Sequence, residues 1–149
     1  MSIRSSTSLS TFKISLLNLV RPLPNSNTYI NNPLGLKLLT RLRLGLSHLR
    51  EHKFKHNFLD SLNPLCTCGL EVESTAHFFL RCHHFSVLRL ALFDKIRLID
   101  NQILNQSDEF ITRVILFGDK KYNSITNSDI INSSIEYIID SKRFDWPFM

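Results

Sequence analysis

Residues 66–82 read CTCGLEVESTAHFFLRC, a stretch that holds all three cysteines of the chain and one of its six histidines. Its candidate metal ligands are Cys66, Cys68, His77 and Cys82. Zinc in structural sites takes four thiolate or imidazole ligands in a tetrahedron and leaves no position open for water. Three cysteines and one histidine therefore predict one closed, structural Zn²⁺ site and not a catalytic metal.

Two other interpretations of the four residues stay open, since they are also compatible with plain buried core side chains or with the remnant of a former site. Cys66 is the weakest ligand of the set. Only Thr67 separates it from Cys68, whereas zinc knuckles usually leave two to four residues between their cysteines. His83 and His84 follow the loop and are substitute ligands by residue type; the alternative for both is a solvated position at a helix break.

The segment before the metal loop has a helical pattern. One apolar stripe of 3.6-residue periodicity contains Leu34, Leu38, Leu39, Leu42, Leu46 and Leu49, and we expect these leucines to be buried. The opposite side would carry Lys37, Arg41, His48, His52 and Lys55 if the helix extends that far. This polar side is either a solvated surface or a phosphate-binding stripe.

Inside the loop, Ser74 or Thr75 can cap a helix that carries His77 toward Cys82. These two ligands are five residues apart, which places them about 140° apart on an ideal helix. Both can face one ion only if the helix ends or unwinds near Arg81.

Three more helices are predicted after the loop: Phe85 to about Asp100, Ser107 to Phe117, and Asp129 to about Lys142. Ser107 and Ser128 are the expected caps, and Gly118 is the expected end of the second helix. No strand pattern persists, so the sequence predicts a small all-α domain with an irregular zinc-knuckle loop. We divide the chain into a poorly ordered tail or linker (1–33), the leucine-rich helix with the zinc module (34–100) and a C-terminal helical tail (101–149).

Charge is distributed unevenly along the chain. Residues 1–50 contain no Asp or Glu and sum to +7, whereas the remaining 99 residues sum to −2. A basic half favours a polyanionic partner, with a solvated surface as the alternative.

An odd number of cysteines, two of them one residue apart, indicates a reducing, intracellular location in the nucleus or cytoplasm. The acid-free N-terminus imitates a mitochondrial transit peptide, which is the lesser alternative.

Neither a membrane segment nor an active site is predicted. No apolar run approaches the ~20 residues that a bilayer requires. A phosphate-binding glycine loop, a Gly-x-Ser-x-Gly elbow and an HExxH motif are all absent. We interpret Glu71 and Glu73 as solvated loop residues, and Asp108 and Glu109 as helix-capping acids. The chain is therefore predicted not to be an enzyme.

Residues 35–85 resemble the C-terminal zinc-binding region of non-LTR retrotransposon reverse transcriptases. The resemblance rests on a Leu- and Arg-rich helix at 39–48, the Cys-x-Cys-Gly loop, the acid pair and the His-x-x-x-x-Cys spacing. The paired catalytic aspartates of the polymerase are absent, as is an endonuclease domain. The resemblance implies a non-catalytic fragment of an RNA-directed DNA polymerase that is associated with RNA or DNA.

The leading hypothesis is a zinc-stabilised module that binds RNA or DNA phosphates with weak sequence preference. Its expected phosphate contacts are Lys37, Arg41, Arg43, Arg50, Lys53 and Lys55. A retroelement-derived relic with no selected activity and a helical protein-interaction domain are the alternatives. The sequence makes no prediction of oligomeric state.

Overall fold

A computed structural model of the protein describes residues 32–60 and 62–145, and helices are the main secondary structure in this part of the chain. The α-helices are α1 (Pro33–Leu44), α2 (Arg50–Lys55), α3 (Ser86–Ile99), α4 (Asp108–Phe117) and α5 (Ser124–Ser141). Shorter turns are a π-helical turn at His77–Arg81 and 3-10 turns at His83–Phe85 and Ile103–Asn105. Extended pairing in the described ranges is limited to one antiparallel bridge between Leu65 and Val72.

The all-α prediction is therefore confirmed for the described residues. The predicted tail lies outside them as far as residue 31, and so do residues 146–149. No helix within residues 32–60 and 62–145 combines the length and the apolar character needed to cross a bilayer.

Helix α1 is shorter than the leucine pattern allows, because both of its ends are capped. The Asn32 side chain accepts a hydrogen bond from the Gly35 N–H at 2.9 Å, and Pro33 occupies the first turn, where its missing N–H costs nothing. Gly45 ends the helix in the left-handed conformation at φ 68°. The expectation that Leu34 and Leu46 are buried is consequently wrong, since Leu34 lies in the first turn and Leu46 lies beyond the last; each is about half exposed.

Helix α5 forms the centre of the core and packs against α1, α3 and α4. The predicted ranges 34–100 and 101–149 both contribute side chains to this one core. Its fully buried members include Leu39, Leu49, Phe78, Phe79, Ile96, Ile103, Ile115, Ile130, Ile131 and Ile138. Gly35 lets α1 approach α5 closely, because a Cβ at this position would lie 2.3 Å from the Ile135 Cγ2.

The caps of the last two helices were predicted with mixed success. Ser107 caps α4 by accepting from the Phe110 N–H at 3.2 Å, and α4 ends at Gly118, both as expected. Helix α5 begins earlier than predicted, with Asn123 as its cap. The assignment of Ser128 as the cap is wrong, because this serine is buried inside the helix.

Candidate metal centre

The first two candidate ligands lie on a tight loop between residues 64 and 73. The loop is closed by hydrogen bonds from the Cys66 N–H to the Glu71 carbonyl at 2.9 Å and from the Glu73 N–H to the Pro64 carbonyl at 2.8 Å. Gly69 adopts φ 80°, a conformation that glycine takes without strain, and its N–H donates to the Cys66 carbonyl. This turn directs two cysteines that are only two positions apart toward one point.

The other two ligands lie at the ends of the π-helical turn. The Ser74 hydroxyl accepts from the His77 N–H at 3.0 Å, so Ser74 supplies the predicted cap. The Cys82 N–H donates to the His77 carbonyl at 2.8 Å, which is the i→i+5 bond of a π turn. Cys82 itself is extended at ψ 124°. The helix therefore changes to a π turn and ends at Arg81, as predicted. His77 and Cys82, which are five residues apart, consequently face the same centre.

The four ligand atoms all lie within 4.8 Å of one another. The Cys66 and Cys82 Sγ atoms are 3.8 Å apart, and the Cys68 Sγ is 3.4 Å from the His77 Nε2. A zinc tetrahedron with bonds of about 2.0–2.3 Å has edges of about 3.6–3.8 Å. The predicted convergence is thus confirmed, and the four side chains form a cluster compatible with a metal site.

Cys66 lies inside the ligand cluster, whereas the two substitute histidines lie outside it. Cys66 belongs to the cluster in spite of its one-residue spacing from Cys68, and its side chain is buried. His83 and His84 are exposed and lie outside the cluster of four.

The three thiols differ in their electrostatic environment. Burial raises the pKa of Cys66 to about 12 and also raises the pKa of Cys82. The pKa of Cys68 is lowered, chiefly by a hydrogen bond from the Leu70 backbone N–H to its sulfur. Backbone amides directed at a sulfur stabilise a thiolate. The raised pKa values keep Cys66 and Cys82 protonated in the absence of an ion. Because metal ligation requires deprotonated cysteine, a bound cation would have to displace their protons.

The Glu71 carboxylate supports the histidine ligand from behind. While the His77 Nε2 faces the cysteines, its Nδ1 lies 3.2 Å from the Glu71 Oε2. Arg81 donates from Nε to the Glu71 Oε1 at 2.9 Å, and this guanidinium is the main reason that the pKa of Glu71 is lowered. The His77 Nδ1 meets the carboxylate at close range without an aligned hydrogen bond. In a metal-bound ring, a carboxylate in this position can accept from Nδ1 and so fix the tautomer and orientation of the ligand.

Glu73 has a different role from the one predicted. Its side chain is 3% exposed and accepts from the Arg143 Nε at 2.8 Å and Nη2 at 2.7 Å. The Arg50 backbone N–H donates to the same carboxylate at 2.8 Å. The interpretation of Glu73 as a solvated loop acid is therefore wrong, whereas Glu71 is a loop acid with 38% of its side chain exposed. Glu73 joins the metal loop to the first turn of α2 and to the segment that follows α5.

An aromatic cluster fixes the π turn to the core. Phe78 and Phe79, which lie between the two ligands of the turn, are fully buried, and each ring packs within 5.3 Å of the Tyr137 ring. The Tyr137 hydroxyl donates to the Phe78 carbonyl at 2.5 Å, and Arg89 donates from Nε to the Phe79 carbonyl at 3.0 Å. The metal turn is thus bound to the centre of the fold, through α3 and α5.

The six basic residues proposed to contact phosphates are divided by the fold. Lys37 is exposed and Arg41 is half-buried on α1. Arg43 points into the core, where its Nε donates to the Leu116 carbonyl at 2.5 Å and its guanidinium lies over the Phe117 ring. Arg43 is therefore in no position to meet a ligand at the surface.

The remaining three lie on α2 and hold local contacts. Arg50 donates from Nη1 to the Leu65 carbonyl of the metal loop at 3.0 Å. Lys53 pairs with Asp60 at 2.5 Å, and Lys55 pairs with Glu51 at 3.0 Å. His48 has a lowered pKa, for which burial is the largest cause, followed by the charges of Lys53, Arg41 and Arg143.

Comparisons with protein-family models, with curated proteins and with solved structures found no significant match to this chain. The resemblance to a retrotransposon zinc-binding region therefore stays a prediction from sequence motifs.

Proposed function

We propose that this chain is a non-catalytic nucleic-acid-binding module whose fold is stabilised by one structural Zn²⁺. The convergence of three cysteine sulfurs and one histidine nitrogen is the observation that supports the metal. Thiolate and imidazole ligands in a compact set of four favour zinc, and four protein ligands leave no position for a reactive water. Cys66, Cys68, His77 and Cys82 would hold the ion.

The nucleic-acid part of the proposal is supported by charge and by the position of α2. The acid-free first fifty residues and the resemblance both favour a polyanion. Helix α2 is connected to the metal loop by the Glu73 carboxylate and by the contact of Arg50 with the Leu65 carbonyl. Metal binding would therefore hold the cations of α2 in a fixed position. Since phosphate contacts carry no sequence information, the preference among sequences is weak.

Affinity for a short RNA and for its DNA counterpart, measured over a range of salt concentration, tests this proposal. The surface left after Arg43 is excluded consists of Lys37, Arg41, Arg50, Lys53 and Lys55. The log–log slope of affinity against salt becomes shallower by about 0.7–0.9 for each phosphate that the protein no longer neutralises. Replacing Lys37, Arg41 and Lys55 together with Ala should therefore reduce the magnitude of the slope by up to about 2–3.

The matched control replaces three exposed cations on α3 and α4, namely Lys95, Arg97 and Arg113, with Ala. It removes the same net charge and should leave most of the slope intact. Equal effects of the two triple variants would mean that binding follows total charge and not the cations of α1 and α2. Absence of binding near 50 mM salt would contradict the proposal, and a chain that also fails to hold zinc would favour the relic.

A protein-interaction domain is the second candidate, and exposed apolar side chains between residues 54 and 72 favour it. Leu59, Leu62 and Leu70 are each at least three-quarters exposed, and Phe54 and Phe58 are nearly half exposed. Contiguous exposed apolar surface is typical of protein-binding sites, and these five side chains lie within seventeen residues of one another in sequence. Folded, zinc-loaded protein that binds neither RNA nor DNA would favour this function.

A further inference from the structure

A groove of about 510 Å³ lies beside the metal loop, between α2 and the end of α5. Its walls carry four cations and one carboxylate: Arg50, Lys53, Lys142, Arg143 and Asp60. Two of these cations, Lys142 and Arg143, lie almost a hundred residues from the basic stripe in sequence. Only the fold brings them to the same groove.

The two arginines are held in place before any ligand arrives. Arg50 is fixed by its bond to the Leu65 carbonyl, and Arg143 by its paired bonds to the buried Glu73 and by a bond to the His48 carbonyl at 3.0 Å. A guanidinium carries several N–H donors, and one that is fixed in this way loses little conformational freedom on binding an anion. Asp60, which pairs with Lys53 at 2.5 Å, is the one carboxylate among the lining residues.

Two ring side chains complete the groove. His84 and Phe85 line it together with the cations, and Thr67, which separates the first two metal ligands, lies in the same wall. Cations that follow a phosphate backbone and rings on which bases stack are the two components of single-strand recognition. The volume is in the usual range for a small-ligand pocket, roughly 300–1,000 Å³.

We infer that this groove binds a phosphate and its adjoining base in single-stranded nucleic acid, with Lys142 on the phosphate and with the anion competing against Asp60 for Lys53. The inference rests on the proposed function and assigns it a site. It adds Lys142 and His84, which the sequence did not associate with nucleic acid, to the binding surface.

Lys142 allows a test that separates binding from folding. It ends α5 in the left-handed conformation at φ 55°, where glycine is the preferred residue. Lys142→Gly therefore removes the cation and relieves backbone strain together. We expect an unchanged or higher Tm and a Kd for fluorescein-labelled eight-nucleotide oligouridylate that rises about three- to fivefold, the upper part of the range of one exposed charge pair.

Asp60→Asn should act in the opposite direction, because it removes the competing carboxylate; we expect the Kd to fall by about three- to fivefold. Lys120→Ala is the control. This exposed lysine precedes the other end of α5, about 27 Å along the helix axis, and its loss should change the Kd less than twofold.

Three outcomes would overturn the inference. If Lys142→Gly and Asp60→Asn leave the Kd unchanged while the Lys37, Arg41 and Lys55 triple variant weakens binding, the groove is not the site and the proposed function stands. If inorganic polyphosphate of equal charge binds as tightly and responds to the same variants, the groove is a general anion site with no base recognition. If the wild-type chain does not bind the oligonucleotide at all, both proposals fail.

Discussion

The Glu71 side chain contacts the candidate ligand His77 and also Arg81, the residue directly before the candidate ligand Cys82. Its carboxylate lies beside the His77 Nδ1 and also accepts from Arg81, the last residue of the π turn. The sequence offered only a general indication of this role, since histidine ligands usually place their second nitrogen against a carboxylate or carbonyl. Two acids in the loop satisfied that condition, and only the fold distinguished Glu71 from Glu73.

Glu71→Gln should weaken zinc affinity by about 10- to 100-fold, because the histidine ligand loses the carboxylate beside its second nitrogen. Competition with a chromophoric chelator measures the change. Arg81→Gln is the matched control, since it removes the ion pair with Glu71 and leaves the carboxylate beside His77; its effect should be much smaller. Equal affinities for wild type and Glu71→Gln would show that this carboxylate does not support the ligand.

We expect the buried His52, which is not a metal ligand, to make the stability of the fold depend on pH. Burial lowers the pKa of His52 below its usual 6.5, and the Ser47 N–H donates to its Nδ1 at 3.3 Å, which requires an unprotonated nitrogen. The unfolded chain therefore binds a proton more readily than the folded chain. The stability contributed by His52 is complete above pH 6.5 and is lost as the pH falls from there toward the lower, folded-state pKa.

Thermal unfolding between pH 7.5 and 5 measures this effect. His52→Asn, whose side-chain oxygen can accept in place of Nδ1, should show a shallower loss of Tm across that range than wild type. Protonation of the metal ligands contributes equally to both proteins, so the difference belongs to His52. Parallel curves would contradict the assignment.

The sequence correctly predicted a helix end where one residue, a cap or a glycine, is sufficient to end the helix. Ser107 and Gly118 bound α4 as the sequence indicated. The leucine repeat before the metal loop was misleading, because its periodicity continues through Gly45, whereas the backbone turns there and begins α2 at Arg50. Periodicity describes which face could be buried but does not show where tertiary packing ends a helix.

Helices α1 and α5 cross closely at Gly35, so a larger side chain at this position should destabilise the fold. Gly35→Ala places a methyl group 2.3 Å from the Ile135 Cγ2, so α1 must move away from α5. We expect a loss of about 1–3 kcal/mol in the free energy of unfolding, as is typical of overpacked cores. Urea denaturation measures it.

Ile135→Ala should partly rescue Gly35→Ala in a double-mutant cycle, because it removes the clashing methyl group. Lys37→Ala, an exposed change on the same helix, is the control and should be within about 0.5 kcal/mol of wild type. A purely additive cycle would mean that the two residues do not meet.

For the molecule as a whole, the sequence predicted the four candidate ligands, but it did not predict the long-range contacts that hold the metal loop and the π turn in place. The four ligands fall within seventeen residues, so their chemistry and spacing carried the prediction. Glu73 and Arg143 are seventy residues apart, and no periodicity or motif connects them before the chain folds. The same holds for Tyr137, whose hydroxyl meets the carbonyl of Phe78 inside the metal turn.

These long-range contacts predict that metal binding and folding are coupled. The metal loop is bound to α2 and to the end of α5 through Glu73, and the π turn is packed on α3 and α5. Releasing the ion would leave two cysteines that are buried and must remain uncharged, and it would loosen a turn that contributes Phe78 and Phe79 to the core.

Native mass spectrometry of the full chain purified under reducing conditions, with circular dichroism on the same sample, tests whether one zinc ion stabilises the fold. We predict one zinc ion per chain for wild type and for the control Thr67→Ser. For Cys68→Ser we predict loss of the zinc together with reduced helical signal, since the site forms only in the folded chain. A wild-type chain that is fully helical, unfolds cooperatively and carries no metal would contradict the account.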